Sequence, residues 1–267
     1  MIRFSPAIFL ALLTSLASAG PKPRQLRILC YNIHHGAGLD GKLDLARIAG
    51  IIRSAKPDLV SLQEVDQKTQ RTGGVDQAAR LAELTGMKHV YGPSMDYQGG
   101  QYGNAILTNR EISTSKTVPL PGEPRSALVA TIKGSDDFPG FHFIATHLDI
   151  DPIPRQASLP LIEKLVNSLP KKPLILAGDF NARPESPTMK ALLKTWSNAT
   201  SAPDFLTAPA NKPKSQIDYI LYQGAPDWKV VEKRVLPEAV ASDHRPILAV
   251  LQWNGGNARE KDTKPSK

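Results

Sequence analysis

An aspartate and an asparagine follow a strongly apolar run of the chain. Residues 173–178, Pro-Leu-Ile-Leu-Ala-Gly, predict a buried strand, and Asp179 and Asn181 come directly after it with Phe180 between them. Residues two apart on an extended segment point to the same side, so both polar groups can act on one bound group. A carboxylate beside an amide suits proton transfer from water and the holding of a phosphate. The alternative is that Asp179 only caps the following turn.

Oxygen ligands stand at the ends of other predicted strands. Asn32 follows an apolar segment, Glu64 ends the next one, and Asp243 precedes the last one. Glu64 alone is equally consistent with a solvated surface position. If the strands share one rim, however, the three side chains converge, and such hard oxygen ligands favour Mg²⁺ or Mn²⁺.

Two histidines and one further aspartate complete the set. His147 closes a predicted strand, and His244 stands beside Asp243. Both imidazoles can contact phosphate oxygens or carry protons. Asp218 lies between Ile217 and Tyr219 within a predicted strand, where a carboxylate is costly unless it is paired, and it is the natural partner to orient His244. The whole set predicts attack of water on a phosphorus ester.

A glycine-rich segment offers a competing interpretation. Residues 36–42, Gly-Ala-Gly-Leu-Asp-Gly-Lys, match the spacing of a dinucleotide fingerprint and most of a phosphate-binding loop. Leu43 stands where that loop needs Ser or Thr. Asp44 is the expected cap of the following helix, so the glycines belong to a loop ahead of the helix rather than to its first turn. A bound nucleotide cofactor is therefore disfavoured.

Predicted strands and helices alternate along the chain, which is typical of a single α/β domain. The predicted strands span residues 26–31, 58–64, 104–108, 113–120, 125–133, 140–148, 173–179, 215–221 and 247–253. The predicted helices follow Asp44, span residues 75–85 and 154–169, and begin after Ser186. Residues 91–103 and 200–214 are predicted loops.

The amino terminus predicts export. Residues 1–19 carry Arg3, an apolar run and Ala-Ser-Ala, the order of a cleaved signal peptide, with a retained anchor as the alternative. No later stretch is apolar enough to form a stable membrane anchor. Cys30 is the only cysteine, so no intramolecular disulfide forms, and export of such a chain fits a bacterial periplasm or the medium. We expect a monomer, and a disordered polar tail over residues 254–267.

The charge balance favours an anionic substrate. Lys and Arg number 33 against 25 Asp and Glu, a net charge of +8. A surplus of this size suits nucleic acid, phospholipid or a phosphorylated sugar. Several of these charges lie in the tail, where they serve solubility.

Seven motifs in order resemble the endonuclease/exonuclease/phosphatase superfamily of metal-dependent phosphoesterases. They are Tyr31-Asn32, Leu62-Gln63-Glu64-Val65, Gly103-Asn104-Ala105-Ile106-Leu107, Thr146-His147-Leu148, Gly178-Asp179-Phe180-Asn181, Ile217-Asp218-Tyr219 and Ser242-Asp243-His244-Arg245-Pro246. Each is weak alone, but together they cover nearly all of the mature chain. The resemblance implies a four-layer α/β sandwich of two packed mixed sheets flanked by helices, over residues 20–253.

The resemblance also implies where metal and substrate bind. Glu64 is the principal ligand of Mg²⁺ or Mn²⁺, and Asn32 and Asp243 support the metal site. Asn104 and Arg125 are further candidate contacts to the phosphate.

The remaining matched residues receive catalytic roles by the same resemblance. Asp179 activates or orients the attacking water, and Asn181 and His147 contact the phosphate. His244 with Asp218 stabilises the transition state. Which of the two histidines is the general acid stays open.

The substrate is a phosphate mono- or diester that the fold alone does not specify. The chain lacks the dense basic run of a nuclease and the apolar loop tips of a membrane-acting phospholipase. We therefore favour a small or mid-sized ester, with DNA or RNA as the alternative. Arg155 is a lesser candidate contact, for which a solvated helix terminus is the simpler explanation.

Two rival classes remain. One is a non-catalytic binding module on the same fold, which would be expected to lack some of the carboxylates or histidines. The other is a zinc hydrolase that uses His34, His35 and His147, although the chain lacks the paired-histidine helix spacing of such enzymes.

Overall fold

The computed structural model describes residues 24–135 and 138–255. The predicted signal peptide and nearly all of the predicted tail lie outside these residues. The strands are β1 Gln25–Asn32, β2 Leu59–Gln67, β3 Lys88–Tyr97, β4 Gly100–Thr108, β5 Ile112–Leu120, β6 Arg125–Ile132, β7 Phe141–His147, β8 Leu174–Asp179, β9 Ser197–Asn198, β10 Asp218–Gln223, β11 Trp228–Val235 and β12 Ile247–Trp253. The α-helices are α1 Leu45–Ala55, α2 Gln77–Thr85, α3 Pro152–Ser168 and α4 Pro187–Leu192. Within the described residues, no helix is long and apolar enough to cross a membrane.

The strands form two six-stranded mixed sheets. The first has the order β11-β12-β1-β2-β4-β3, and the second has the order β5-β6-β7-β8-β10-β9. Each sheet contains a central parallel pair, β1 with β2 and β7 with β8, and its other pairs are antiparallel. The carboxyl ends of a parallel pair lie at the same edge, so the residues that close these strands are brought together.

Three apolar clusters hold four layers together. The largest lies between the sheets and includes Ile28 from β1 and Phe143 from β7. A second packs β1, β2 and β4 against α1 and α2, with Ile48 and Ile52 on the buried face of α1. The third packs the other sheet against α3 and α4. Because a fully buried aliphatic or aromatic side chain contributes about 1.5–3 kcal/mol, these clusters dominate the stability. The predicted four-layer α/β sandwich is confirmed.

The first helix begins where its cap predicts. The Asp44 carboxylate accepts a hydrogen bond from the Arg47 amide at 2.9 Å, and α1 ends with Lys56 in a left-handed conformation before Pro57. The preceding glycines form a separate turn, closed by a bond from the Gly38 amide to the Lys42 carbonyl at 2.9 Å. They therefore do not open the helix, as a nucleotide-phosphate site would require.

The prediction of a loop over residues 91–103 was wrong. Residues 91–97 belong to β3 and residues 100–103 to β4, and the two strands form a hairpin. The segment lacks clear alternation because β3 is an edge strand with only one fully buried residue, Gly92. A Cβ on Gly92 would lie 2.9 Å from Leu128 Cβ of the facing sheet, so the glycine permits close approach of the sheets.

Two other expectations need correction. Asp218 is the first residue of β10 rather than its middle, directly opposite Asp179 in the register. Residues 200–214 are irregular as predicted, but they are not purely surface, because Phe205 and Thr207 are buried. Strand β11 was not predicted, because Val231 follows Val230 at a β-bulge and interrupts the apolar–polar alternation of its sequence.

Candidate active site

The two sheets meet at the carboxyl ends of their parallel pairs. Asn32 at the end of β1 pairs in register with Gln63, and His147 at the end of β7 pairs with Asp179 at the end of β8. The side-chain Nδ2 of Asn32 donates to Asp179 Oδ2 at 3.2 Å, and this hydrogen bond joins the two sheets directly. Residues from both halves of the chain therefore share one rim.

Asp179 is the centre of this constellation and is almost fully buried. Its Oδ2 lies 3.4 Å from His147 Nε2 and 3.7 Å from His244 Nε2, and its Oδ1 accepts from the Asn181 amide at 2.9 Å. Burial, with a smaller contribution from Asp218, raises its pKa to about 7 against the opposing effect of His244. A carboxyl whose pKa lies near neutrality is suited to take up a proton.

His244 is held between two carboxylates. Its Nδ1 lies 3.0 Å from Asp218 Oδ2, and both residues are buried. Burial lowers the pKa of His244, but Asp218 and Asp179 outweigh it and raise the pKa to about 10. The imidazole is therefore protonated at neutral pH, with one N–H donating to Asp218 and the other directed toward Asp179.

His147 has the opposite protonation. Burial, with the charges of Arg125 and His244, holds its pKa well below the usual range, so the ring is neutral. Arg125 Nη1, which can only donate, lies 3.3 Å from Nδ1, and Nε2 faces Asp179 Oδ2 at 3.4 Å. Asn181 Nδ2 lies 3.1 Å from Nε2 and donates to the Leu148 carbonyl at 2.9 Å.

Glu64 owes its position to a β-bulge. The register of β2 against β4 shifts between Leu62 and Val65, and Glu64 adopts a left-handed φ of 57° there. Such a bulge redirects a side chain out of the sheet. The side-chain Nδ2 of Asn32 donates to Glu64 Oε1 at 3.0 Å and so orients the half-buried Glu64 carboxylate.

Asp243 reaches the same rim from the last loop. The Ser242 hydroxyl donates to the Asn32 carbonyl at 2.7 Å and lies 3.3 Å from Asp243 Oδ1. Asn32 is therefore bonded to Glu64 directly and linked to Asp243 through Ser242, and both half-buried carboxylates are oxygen donors of the kind that a hard divalent cation binds.

Asn104 and Arg125 flank the site from β4 and β6. Asn104 donates to the Ser126 carbonyl and hydroxyl at 3.0 and 3.1 Å, and its buried Oδ1 makes no hydrogen bond within the described part of the chain. Arg125 is buried between the Tyr102 hydroxyl at 3.2 Å and Glu123 at 2.8 Å. Both therefore support neighbours of the constellation.

Arg155 is not a solvated helix terminus, and that expectation was wrong. It is buried, and its guanidinium donates to the carbonyls of Asp149 and Ile150 at 3.1 and 2.8 Å. Its hydrogen bonds tie the loop after β7 to α3, so its role is structural.

His34 and His35 lie beside Glu64, whereas the zinc-hydrolase alternative grouped them with His147. With Glu64 they offer three ligand atoms within 4.8 Å of one another, whereas His147 contacts Arg125 and Asp179. Burial, with the charges of Arg71 and His34, lowers the pKa of His35 to about 4. The sequence places the two histidines directly after Asn32 and Ile33, but nothing in it indicated Glu64 as their neighbour.

A family model described as the endonuclease/exonuclease/phosphatase family matches residues 29–244. The chain belongs to this family. The match includes every residue of the constellation, from Asn32 to His244.

Several individual proteins are similar to the chain. The chain is 26% identical to the Escherichia coli K12 protein YbhP over 242 residues, which are 84% of this chain and 95% of YbhP. An endonuclease/exonuclease/phosphatase from Beutenbergia cavernae superposes with a TM-score of 0.69 at 25% identity and covers 87% of this chain and 72% of its own. A mannosyl-6-phosphatase from Bacteroides thetaiotaomicron shares the fold, with a TM-score of 0.70 at 20% identity over 85% of this chain and all of its own.

Proposed function

We propose that the protein is an exported, divalent-metal-dependent phosphoesterase that hydrolyses a phosphate mono- or diester by in-line attack of water. The observation that carries the proposal is the buried carboxyl of Asp179 between a protonated His244 and a neutral His147. Two imidazoles in opposite protonation states, beside one carboxyl, provide a base, a cation and a neutral polar group within one site.

The chain's own groups divide the work. Asp179 takes the proton of the attacking water, since its pKa lies near 7. His147 and Asn181 contact the phosphate oxygens, and His147 Nε2 lies 3.1 Å from Asn181 Nδ2. His244 supplies the positive charge that stabilises the transition state and the proton for the leaving oxygen, and Asp218 holds its ring.

Glu64 and Asp243 would hold the divalent metal ion, and Asn32 orients the Glu64 carboxylate. When bound there, Mg²⁺ or Mn²⁺ would polarise the phosphoryl group and neutralise its charge. Asn32 Nδ2 donates to both Glu64 and Asp179. It therefore fixes the metal-binding carboxylate of Glu64 relative to Asp179, which accepts the proton of water.

A small or mid-sized ester is the favoured substrate. The net charge of +8 favours an anion, and a protein of the same fold from Bacteroides thetaiotaomicron is a mannosyl-6-phosphatase. Such a substrate presents one phosphate to the buried constellation and needs no extended groove.

A nucleic acid is the second candidate, favoured by one cluster at the rim. The Arg71 guanidinium lies 4.8 Å from the ring centroid of Tyr97 and 5.7 Å from that of Tyr102, and Tyr102 also contacts Arg125 beside His147. A stacked aromatic and guanidinium surface of this kind suits a nucleobase. Arg71 is also paired with Asp66 at 2.7 Å, which reduces its charge toward a backbone phosphate.

Export rests on the sequence of residues 1–19, and we extend the proposal to a periplasmic or secreted monomer. Mass spectrometry of the mature amino terminus, after expression with the native leader, would test it. A mature chain that begins after Ala19 supports export, and one that begins at Met1 contradicts it.

The reaction is tested with bis-p-nitrophenyl phosphate and p-nitrophenyl phosphate under Mg²⁺, Mn²⁺, Zn²⁺ and a chelator. We expect hydrolysis that the chelator abolishes and that Glu64→Ala lowers at least about a hundredfold, because the metal's contribution is lost. Glu163→Ala, at an exposed position on α3, is the matched control and should retain activity. Activity that survives chelation, or that Glu64→Ala leaves intact, would contradict the proposal. A panel of plasmid DNA, RNA, sphingomyelin, phosphatidylinositol phosphates and sugar phosphates then separates the substrate classes.

A further inference from the structure

His34, His35 and Glu64 form a cluster that the proposed reaction does not use in full. Each offers one ligand atom, and these atoms lie within 4.8 Å of one another. All three residues are only partly buried. The donors are two imidazole nitrogens and one carboxylate oxygen, which differs from the all-oxygen set that Mg²⁺ prefers.

The ring of His34 is oriented as a metal-binding imidazole would be. Its Nδ1 donates to the Ala37 carbonyl at 3.1 Å, so in the neutral ring the lone pair lies on Nε2. Imidazoles that ligate metals commonly donate their other N–H to a backbone carbonyl in this way. The His34 amide also donates to Asn32 Oδ1 at 3.0 Å, which ties the ring to the residue that orients Glu64.

His35 carries an unused nitrogen. Its Nδ1 is buried and has no hydrogen-bond partner among residues 24–135 and 138–255. A buried polar atom without a partner costs about 1–3 kcal/mol, so it needs a compensating interaction. The ring centroid lies 4.5 Å from that of His34, and a cation shared by the two rings would supply one.

The backbone is strained at each of the three positions. His34, His35 and Glu64 have φ values of 46°, 45° and 57°, in the left-handed region that non-glycine residues rarely adopt. Each such residue costs of order 1–3 kcal/mol, and strain of this kind concentrates at functional sites. Two different segments of the chain therefore accept strain to direct side chains to one point.

A buried glutamine fixes the two segments to each other. Gln77 Nε2 donates to the His35 carbonyl at 2.7 Å, and Gln77 Oε1 accepts from the Asp66 amide at 2.9 Å, two residues beyond Glu64. The three donors are therefore held in place without a ligand, as a pre-organised site requires.

We propose that His34, His35 and Glu64 bind a first-row transition-metal ion of the Co²⁺ or Zn²⁺ class in preference to Mg²⁺. Two imidazoles and one carboxylate are a donor set that such ions bind with positions left open for water or substrate. The inference builds on the proposed function because Glu64 is shared with its metal site. It implies that the protein's highest-affinity metal is not Mg²⁺.

Metal binding itself tests the inference, without an activity assay. Metal-free protein is titrated with Co²⁺ by visible absorption, and with Co²⁺, Zn²⁺ and Mg²⁺ by calorimetry. The variants are His34→Asn and His35→Asn, because Asn tolerates the left-handed backbone while removing the imidazole nitrogen. His89→Asn, at an exposed position on β3, is the matched control, and thermal unfolding verifies that each variant is folded.

The expected pattern distinguishes nitrogen ligands from a general loss of metal binding. His34→Asn and His35→Asn should each raise the Kd of Co²⁺ at least about tenfold and weaken its d–d bands, and should change the Kd of Mg²⁺ less than about threefold. Glu64→Gln should weaken both metals, and His89→Asn neither. Co²⁺ affinity that both histidine variants retain, or wild-type protein that binds Mg²⁺ as tightly as Co²⁺, would overturn the inference.

The two proposals fail separately. Imidazole-dependent Co²⁺ binding in a protein that hydrolyses no phosphate ester would leave this inference standing and remove the proposed function. Hydrolysis of phosphate esters, together with Co²⁺ binding that does not depend on His34 or His35, would remove this inference only.

Discussion

Asp218→Asn removes the negative charge that keeps His244 protonated. The two side chains are 3.0 Å apart and buried, and the pKa of His244 is about 10 against an ordinary 6.5. Since one pKa unit corresponds to about 1.4 kcal/mol, the environment favours the imidazolium by roughly 5 kcal/mol. Among the groups that raise the pKa, Asp218 contributes most, ahead of Asp179. Without it, burial is opposed by Asp179 and Asp243, and we expect the pKa to fall into the range from 5 to 8 that NMR titration covers easily.

The assay is a titration of the His244 ring resonances in chelator-treated wild-type and Asp218→Asn protein. The wild-type ring should stay protonated from pH 5 to 8, and the variant ring should titrate within that window. Activity of the variant at pH 7.5 should fall about 10²–10⁴-fold, the usual contribution of acid–base catalysis. Asp204→Asn, an exposed aspartate in the preceding loop, should change neither quantity. A wild-type ring that titrates near pH 6.5, or a variant ring that stays protonated to pH 8, would refute the reasoning.

Three further predictions concern stability and the connection between the sheets. Gly178→Ala should destabilise the protein by several kcal/mol in urea unfolding, because the added Cβ would lie 2.0 Å from the Thr146 carbonyl oxygen. Gly50→Ala in α1, where nothing lies within 4 Å of the added Cβ, should stabilise the protein by about 0.5–1 kcal/mol, and equal effects of the two substitutions would contradict the packing described. Because the pKa of His244 is raised in the folded protein, the contribution of this residue to stability is complete below pH 6.5 and is lost as the pH rises toward 10. The unfolding free energy of the wild-type protein should therefore fall by about 3–4 kcal/mol between pH 7 and 9.5, and that of His244→Asn should fall less. Parallel curves of unfolding free energy against pH would count against the His244 ion pair. Asn32→Leu should lower activity at least about tenfold and weaken Mn²⁺ binding in calorimetry, because Glu64 and Asp179 both lose the hydrogen bond from Asn32 Nδ2. Unchanged Mn²⁺ affinity would exclude this positioning role of Asn32.

The apolar pattern was enough to predict the strands that end at the site. Residues 173–178 form a buried strand that delivers Asp179, as their composition predicts, and Asp44 caps α1. These features are local, since a continuous apolar run or a capping side chain needs no knowledge of distant partners. The alternation of such elements predicted only a single α/β domain, and the four-layer architecture was predicted from the resemblance to the family.

What the pattern did not reveal depends on contacts between distant segments. The bulge that redirects Glu64 exists only relative to β4, and the edge strand β3 takes its conformation from its pairing with β4 rather than from its own composition. His34 and His35 approach Glu64 through a strained turn held by Gln77, which no spacing rule encodes. Arg155 is buried because carbonyls from the neighbouring loop satisfy its guanidinium.

The stereochemical course at phosphorus tests the central claim most directly. Wild-type protein with its divalent metal hydrolyses a phosphorothioate diester of known configuration in ¹⁸O-labelled water, and ³¹P NMR reads the configuration of the product. Direct attack by a water that Asp179 deprotonates, opposite the leaving oxygen, predicts inversion with one labelled oxygen on phosphorus. Retention of configuration would require a covalent phosphoryl intermediate on the chain and would contradict the account.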